Sequence, residues 1–320
     1  MTLRLRSGSL IAGLSIITLA WGCYSSIAPV PKVELDEPQG TSSSGVLPPD
    51  ETVDGCAPRT LDKAPGVTGM VPTGKGAGEV YLLSGDRYFT AVLNTVDGGV
   101  NQGVPQTWGE SGHIKTLWAD NPPIDGINVW SEEGITATYQ PKEFQAYFVI
   151  NRAKRWGLTP GGWVVATDGK PNTVADDWIV NGNGPPAIDG VAPWQGPGVT
   201  AVYYNPTNTT MYVHSGAKLW VRNVTGNDPA TWSWLRYEAD AGPEAGTRVT
   251  GNLADIPMWQ SAPVVGGQRP WEGKGVTAAW YIGPRLFVFN VDKYWIWEGS
   301  RWEKSGVVTE WRPPTAGCPQ

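Results

Sequence analysis

Four times along the chain, a mostly apolar run opens on an aromatic, passes through a short turn and returns to a second aromatic. The copies lie in "EVYLLSGDRYFTAV", "AYFVINRAKRWGL", "MYVHSGAKLWVRN" and "RLFVFNVDKYWIWE", opening at Tyr81, Phe148, Tyr212 and Phe287. The second aromatic stands eight residues later every time, at Phe89, Trp156, Trp220 and Trp295, with a cation two residues before it, at Arg87, Lys154, Lys218 and Lys293. Between the two aromatics, Ser84-Gly85 and Ser215-Gly216 mark a tight turn in two copies, so the phrase predicts a β-hairpin.

A second phrase precedes each hairpin: "GVTG" at Gly66, "GITA" at Gly134, "GVTA" at Gly198 and "GVTA" at Gly275. Its Thr stands 13, 12, 12 and 10 residues before the opening aromatic, a variation that a loop between two strands absorbs. Three copies add a Trp four residues before that Gly (Trp130, Trp194, Trp271) and a Gly four residues earlier still (Gly126, Gly190, Gly267); the first copy lacks this prefix. The phrases start 68, 64 and 77 residues apart, long enough for four strands. The fourth strand is expected in "GGWVVATD" from Gly161, "TWSWLRYEA" from Thr231 and "GVVTEW" from Gly306. Four such units predict an all-β, four-bladed propeller.

Composition agrees. Among 320 residues, 41 Gly, 28 Pro and 18 Trp leave little room for helices. A net charge of −6 gives no basic footprint and argues against a nucleic-acid partner.

At this point the chain resembles the haemopexin-like repeat family. "YLLSGDRYF" from Tyr81 carries that repeat's aromatic, Gly, Asp, base, Tyr and aromatic places, and "FVFNVDKYW" from Phe287 its Asp, Lys, Tyr and Trp. The resemblance implies four blades over about 56–125, 126–189, 190–266 and 267–318, the first tied to the last by one disulfide. It also implies main-chain carbonyls at the starts of the inner strands, near Thr68, Thr136, Thr200 and Thr277, able to hold calcium or another cation. Thr stands in all four places where the family's inner strand begins with Asp.

The N-terminus has Arg4 and Arg6 ahead of an apolar run from Leu10 to Trp21, the layout of a signal peptide and too short to span a bilayer. Its end, "LAWGC", resembles a bacterial lipobox, which implies lipidation of Cys23 and a protein exported to the periplasm or cell surface. Residues 24–55, rich in Pro and Ser, read as a tether, and 56–318 as the folded part. Removing Cys23 from the three cysteines leaves Cys56 and Cys318, which are expected to pair in an exported chain. Closing that loop stabilises by roughly 5 kcal/mol in the chain-entropy model.

Catalytic patterns are missing from the sequence. Its two histidines, His113 and His214, form no HExxH, and no G-x-S-x-G or phosphate-cradling loop occurs. The acidic pairs at Asp176-Asp177 and Glu132-Glu133 read as solvated loop charges, and the four in-register cations as salt-bridged hairpin tips beside Asp86 or Asp292. The in-register Trp residues read as core between blades. Trp108, Trp118, Trp163 and Trp302 fall outside the repeat pattern and are the candidates for an exposed ligand-binding face. The expected role is therefore a lipid-anchored, non-enzymatic docking module for a protein, glycan or small ligand. A carbohydrate-binding or carbohydrate-active propeller and a structural envelope protein are the alternatives.

Overall fold

A computed structural model describes residues 61, 63–75, 78–96, 99–140, 146–159, 162–164, 173–179, 182–205, 209–224, 231–235, 250–311 and 313, with the side chains of 94–104 excepted. Cys23, Cys56, Cys318, the N-terminal export segment and the tether lie outside them.

The described residues form four antiparallel sheets, each a blade. Blade 1 holds β1 (Gly69–Pro72), β2 (Glu79–Ser84), β3 (Arg87–Val96) and β4 (Gly99–His113), followed by the one-turn helix α1 (Ile114–Leu117). Blade 2 holds β5 (Ala137–Tyr139), β6 (Tyr147–Asn151), β7 (Lys154–Thr159) and β8 (Gly162–Val164), then α2 (Val174–Trp178). Blade 3 holds β9 (Ala201–Asn205), β10 (Thr210–Ser215) and β11 (Lys218–Asn223), with an outer edge split into β12 (Ser233–Trp234) and β13 (Gly251–Asn252), then α3 (Pro257–Gln260). Blade 4 holds β14 (Ala278–Ile282), β15 (Arg285–Asn290), β16 (Lys293–Glu298) and β17 (Arg301–Val307). The inner strands β1, β5, β9 and β14 stand side by side, and β14 returns to β1, so the ring is closed: a four-bladed β-propeller.

The predicted hairpins are β2–β3, β6–β7, β10–β11 and β15–β16, in register across the turn from Ser84↔Arg87 to Asn290↔Lys293. One expectation needs correction. The fourth strand of blade 4 is Arg301–Val307, and Val308–Trp311, expected to continue it, winds into a 3-10 turn. Val308 and Trp311 are buried there, and Trp311 packs against Phe289 and Tyr294 where blade 4 meets blade 1.

The core lies between blades. Each of four apolar clusters is shared by two neighbours, and the second aromatic of every hairpin enters the cluster on the side of the preceding blade: Phe89 (blades 4 and 1), Trp156 (1 and 2), Trp220 (2 and 3) and Trp295 (3 and 4). All four are fully buried. The three indoles also donate Nε1–H to a proline carbonyl in the loop arriving from the preceding blade: Pro122 at 2.8 Å, Pro186 at 2.7 Å and Pro263 at 2.7 Å. One side chain thus fills the wedge and fixes the connection.

The Gly-Val/Ile-Thr phrase is the joint between blades. Its second residue donates its N–H to the carbonyl of the first turn residue in the preceding blade's hairpin. Ile135 bonds to Gly85 (2.8 Å), Val199 to Arg152 (3.3 Å), Val276 to Gly216 (3.1 Å) and Val67 to Val291 (3.4 Å), which completes the circle. The glycine before it must come close to that turn with positive φ; at Gly134 (φ +76°) a Cβ would stand 2.3 Å from the carbonyl carbon of Gly85.

The prefix Gly marks a two-residue hairpin. Asp125-Gly126 and Asp189-Gly190 have positive φ at both positions, the type I′ geometry that Asp-Gly favours. Lys154 reaches back to Asp125 (Nζ–Oδ2, 2.6 Å) and Lys218 to Asp189, while Lys293 pairs with adjacent Asp292 (2.7 Å). Lys154 and Lys218 therefore fasten loops to blades.

Gly134→Ala should destabilise the protein by about 3 kcal/mol or more, because backbone strain and a collision coincide. Gly126→Ala, at φ +75° but with open space around it, should cost only about 1–2 kcal/mol. Urea unfolding midpoints of the two variants check this; equal losses would show that the inter-blade approach is not needed.

Candidate functional site

The inner strands run in one direction, so the channel has an entrance where they start and an exit where they end. A cavity of about 540 Å³ occupies the entrance and one of about 180 Å³ the exit.

Thr68, Thr136, Thr200 and Thr277 ring the entrance, as the sequence spacing places them. Each hydroxyl oxygen accepts a backbone N–H from its own blade's hairpin turn: Gly85 (3.1 Å), Arg152 (2.9 Å), Gly216 (3.0 Å) and Val291 (3.1 Å). The hydroxyls of Thr200 and Thr277 then donate to the next blade, to the carbonyls of Val276 (2.6 Å) and Val67 (3.0 Å). Among the described residues no three His, Cys, Asp or Glu side chains converge on a metal-sized site. The two carbonyls that accept these hydroxyls, those of Val276 and Val67, lie at the strand entrances. The entrance carboxylates are likewise engaged: Asp86 with His113 (3.1 Å), and Glu133 with Arg152 (2.5 Å).

The exit is aromatic. Tyr139 and Tyr147 of blade 2, Tyr203 and Tyr204 of blade 3, and Trp280 and Tyr281 of blade 4 line it, with Met70, Pro72, Thr138, Gln140 and Val202. Tyr139 and Tyr204 stack at 6.2 Å between centroids, and Trp280 lies on Phe289 at 4.6 Å. Burial pushes the phenols of Tyr139, Tyr203 and Tyr281 up, so all three keep their protons and the exit carries no formal charge. Thr138 Oγ1 accepts from Met70 N–H (2.9 Å) and donates to Met70 O (3.0 Å), and Tyr281 Oη accepts from Asn205 Nδ2 (3.2 Å). Trp280 Nε1 is buried and has no acceptor.

Sequence reading missed this group. Its signal was an aromatic three residues after the ring threonine in three repeats, Tyr139, Tyr203 and Trp280, with another at four residues in two, Tyr204 and Tyr281.

The four extra-pattern indoles do not share a face. Trp118, buried, meets Trp163 edge-on at 5.2 Å between blades 1 and 2. Trp108 donates to Trp311 O (2.9 Å) across the ring closure, and Trp302 to Met258 O (3.0 Å) beside blades 3 and 4.

Behind the exit, fully buried His214 stacks on Tyr203 (5.5 Å) and meets Trp259 edge-on (5.4 Å). Burial lowers its pKa from 6.5 to about 3.

Four closed antiparallel sheets around a two-mouthed channel define the chain as a β-propeller with an apolar exit site. No family model matches it, and no curated protein does. Solved structures similar to it include a hemopexin fold protein from cow pea, at 13% identity over 77% of this chain and 94% of that one, TM-score 0.46. Others are a seed albumin from Lathyrus sativus (12% identity, 77% and 93% covered, TM-score 0.46) and a plant lectin with two metal binding sites from Cicer arietinum (12%, 77% and 94%, TM-score 0.45).

His214 gives a pH prediction. The unfolded chain's imidazole takes a proton below about 6.5, while the folded one stays neutral to about pH 3, so acid favours unfolding across that window. Its share is up to about 1.4 kcal/mol per pH unit. Urea midpoints from pH 7 to 3.5 should fall more steeply for the wild type than for His214→Phe; parallel profiles would exclude a buried neutral histidine.

Proposed function

We propose that this chain is a non-enzymatic binding propeller, exported and held at a bacterial envelope by a lipidated Cys23, that takes a small ligand at the aromatic exit of its channel. The observation that carries the reading is the exit itself: six aromatic side chains from three blades around a neutral cavity. A concave apolar site with a few convergent polar groups is the usual form of a ligand pocket.

Groups that could do chemistry are committed to the scaffold. His113 accepts the N–H of Lys115 at the start of α1 and pairs with Asp86; His214 is sealed in core. Asp176 caps α2 with Thr173, and Asp177 pairs with Arg155, burial pushing its carboxyl up. None of these carboxylates lies at the exit, where a carbohydrate-active propeller would need a pair.

Two experiments test the proposal. Small probes from several classes (sugars, amino acids, organic cations, aromatic acids) should include one that raises the melting temperature of the wild-type protein, with the shift lost in Trp280→Leu and Tyr204→Leu. No shift with any probe, or a shift that both variants keep, would overturn the exit as a binding site. For the anchor, Cys23→Ser should move the protein from the membrane to the soluble fraction of its host cell; retention in the membrane would overturn lipidation at Cys23.

A further inference from the structure

We infer that the entrance of the channel is a second binding site, which takes a linear zwitterion with an ammonium group at one end and a carboxylate at the other. This does not rest on the exit being a binding site. The residue just before the joint glycine is Pro65 in blade 1, Glu133 in blade 2, Pro197 in blade 3 and Lys274 in blade 4, and all four line the entrance cavity. The blades follow one another in chain order around the ring, so blade 2 stands across the mouth from blade 4, and blade 1 from blade 3. One structural position, repeated four times, thus sets an acidic residue opposite a basic one and places proline on the two remaining sides.

Neither charge is cancelled by its own neighbourhood. Glu132 and Glu133 share a single guanidinium, that of Arg152, at 3.7 Å and 2.5 Å, which leaves their side of the mouth one negative charge in excess. Asp86, also at the mouth, faces His113 at 3.1 Å and Arg87 at 3.8 Å. Lys274 is exposed and forms no ion pair among the described residues; the carboxylate nearest it in sequence, Glu272, accepts the backbone N–H of Arg269 (2.7 Å).

Opposite charges across open space discriminate between ligand classes. A simple cation drawn to Glu132 and Glu133 meets Lys274 on the far side, and a simple anion drawn to Lys274 meets the two carboxylates. A molecule with both charges gains from both sides. The space between them, about 540 Å³, falls within the usual range for small-ligand sites, about 300–1,000 Å³, and Pro65, Pro197, Ile135 and Val291 supply apolar lining for a methylene chain. Each charged contact is half-exposed and weak by itself, so a ligand must engage both ends to bind.

Isothermal titration of the full chain at low ionic strength with 6-aminohexanoate, hexanoate and hexylamine tests this. The zwitterion should bind at least fivefold more tightly than either singly charged analogue. Lys274→Ser should bring 6-aminohexanoate down to the affinity of hexylamine while strengthening hexylamine itself, a reciprocal change that a loss of stability does not produce. Folded Tyr204→Leu, altered only at the exit, should bind the zwitterion as the wild type does. Hexylamine or hexanoate binding as tightly as the zwitterion would overturn the inference in favour of a single-ion site. Loss of binding in Tyr204→Leu would move the ligand to the exit and overturn it too, and no binding by any of the three would overturn the entrance as a site. The wild-type titrations decide the ligand class without any variant.

Discussion

Four backbone hydrogen bonds, each from the residue after a glycine to a turn carbonyl in the preceding blade, convert four separate sheets into a ring. Inner strands of only three to five residues hold little pairing energy of their own, and each blade alone would expose both of its apolar faces. The bonds bring the strand entrances together, and the apolar wedges then close behind them. That geometry sets a demand on both partners. The donor side needs a glycine with positive φ, supplied by Gly66, Gly134, Gly198 and Gly275, and the acceptor side needs a turn residue with positive φ. Gly85 and Gly216 meet the second demand without strain. Arg152 (φ +55°) and Val291 (φ +56°) meet it at a cost of order 1–3 kcal/mol each. Arg152 thereby brings its side chain to the entrance beside Glu133, so one strained residue serves both the ring and the charge balance of that mouth.

The same repetition made the fold legible. A contact that recurs four times imposes the same residue types at the same spacing four times, and the Gly-Val/Ile-Thr phrase and the aromatic eight residues into each hairpin are its imprint. Parts that occur once left no such imprint. Val308–Trp311 reads as part of a strand and is a 3-10 turn, because its two apolar residues, three apart, fill the junction of blades 4 and 1. The ion pairs from Lys154 and Lys218 to Asp125 and Asp189 span 29 residues and depend on a small hairpin whose position only the folded chain reveals. The extra-pattern indoles looked available for a ligand because nothing in the repeat used them. In the fold, Trp108 and Trp302 bind backbone carbonyls, and Trp118 and Trp163 pair with each other.

The candidate site was the least legible part, and the reason is physical. Apart from Tyr147, the exit is lined by side chains two to four residues beyond the ring threonines. None of these positions is fixed by the ring bonds, which end at the strand entrance. Blade 1 places Val71 and Pro72 where blade 4 places Trp280 and Tyr281, without any change in the joint. A repeat search finds what every blade shares and passes over what distinguishes one blade from another.

That division separates the two ends of the channel by role. Entrance oxygens are spent on holding blades together, so a substitution there acts on stability first. Exit side chains stand on strands already joined at the other end, and several of them, Tyr139, Val202 and Tyr203, are also buried in the clusters between blades. The wall they form is uneven, aromatic on three blades and without an aromatic on the first, which gives the cavity a direction that a fourfold ring alone would lack. Trp280 lies on that wall, stacked on Phe289, so one side of the exit is held by the packing that closes the ring.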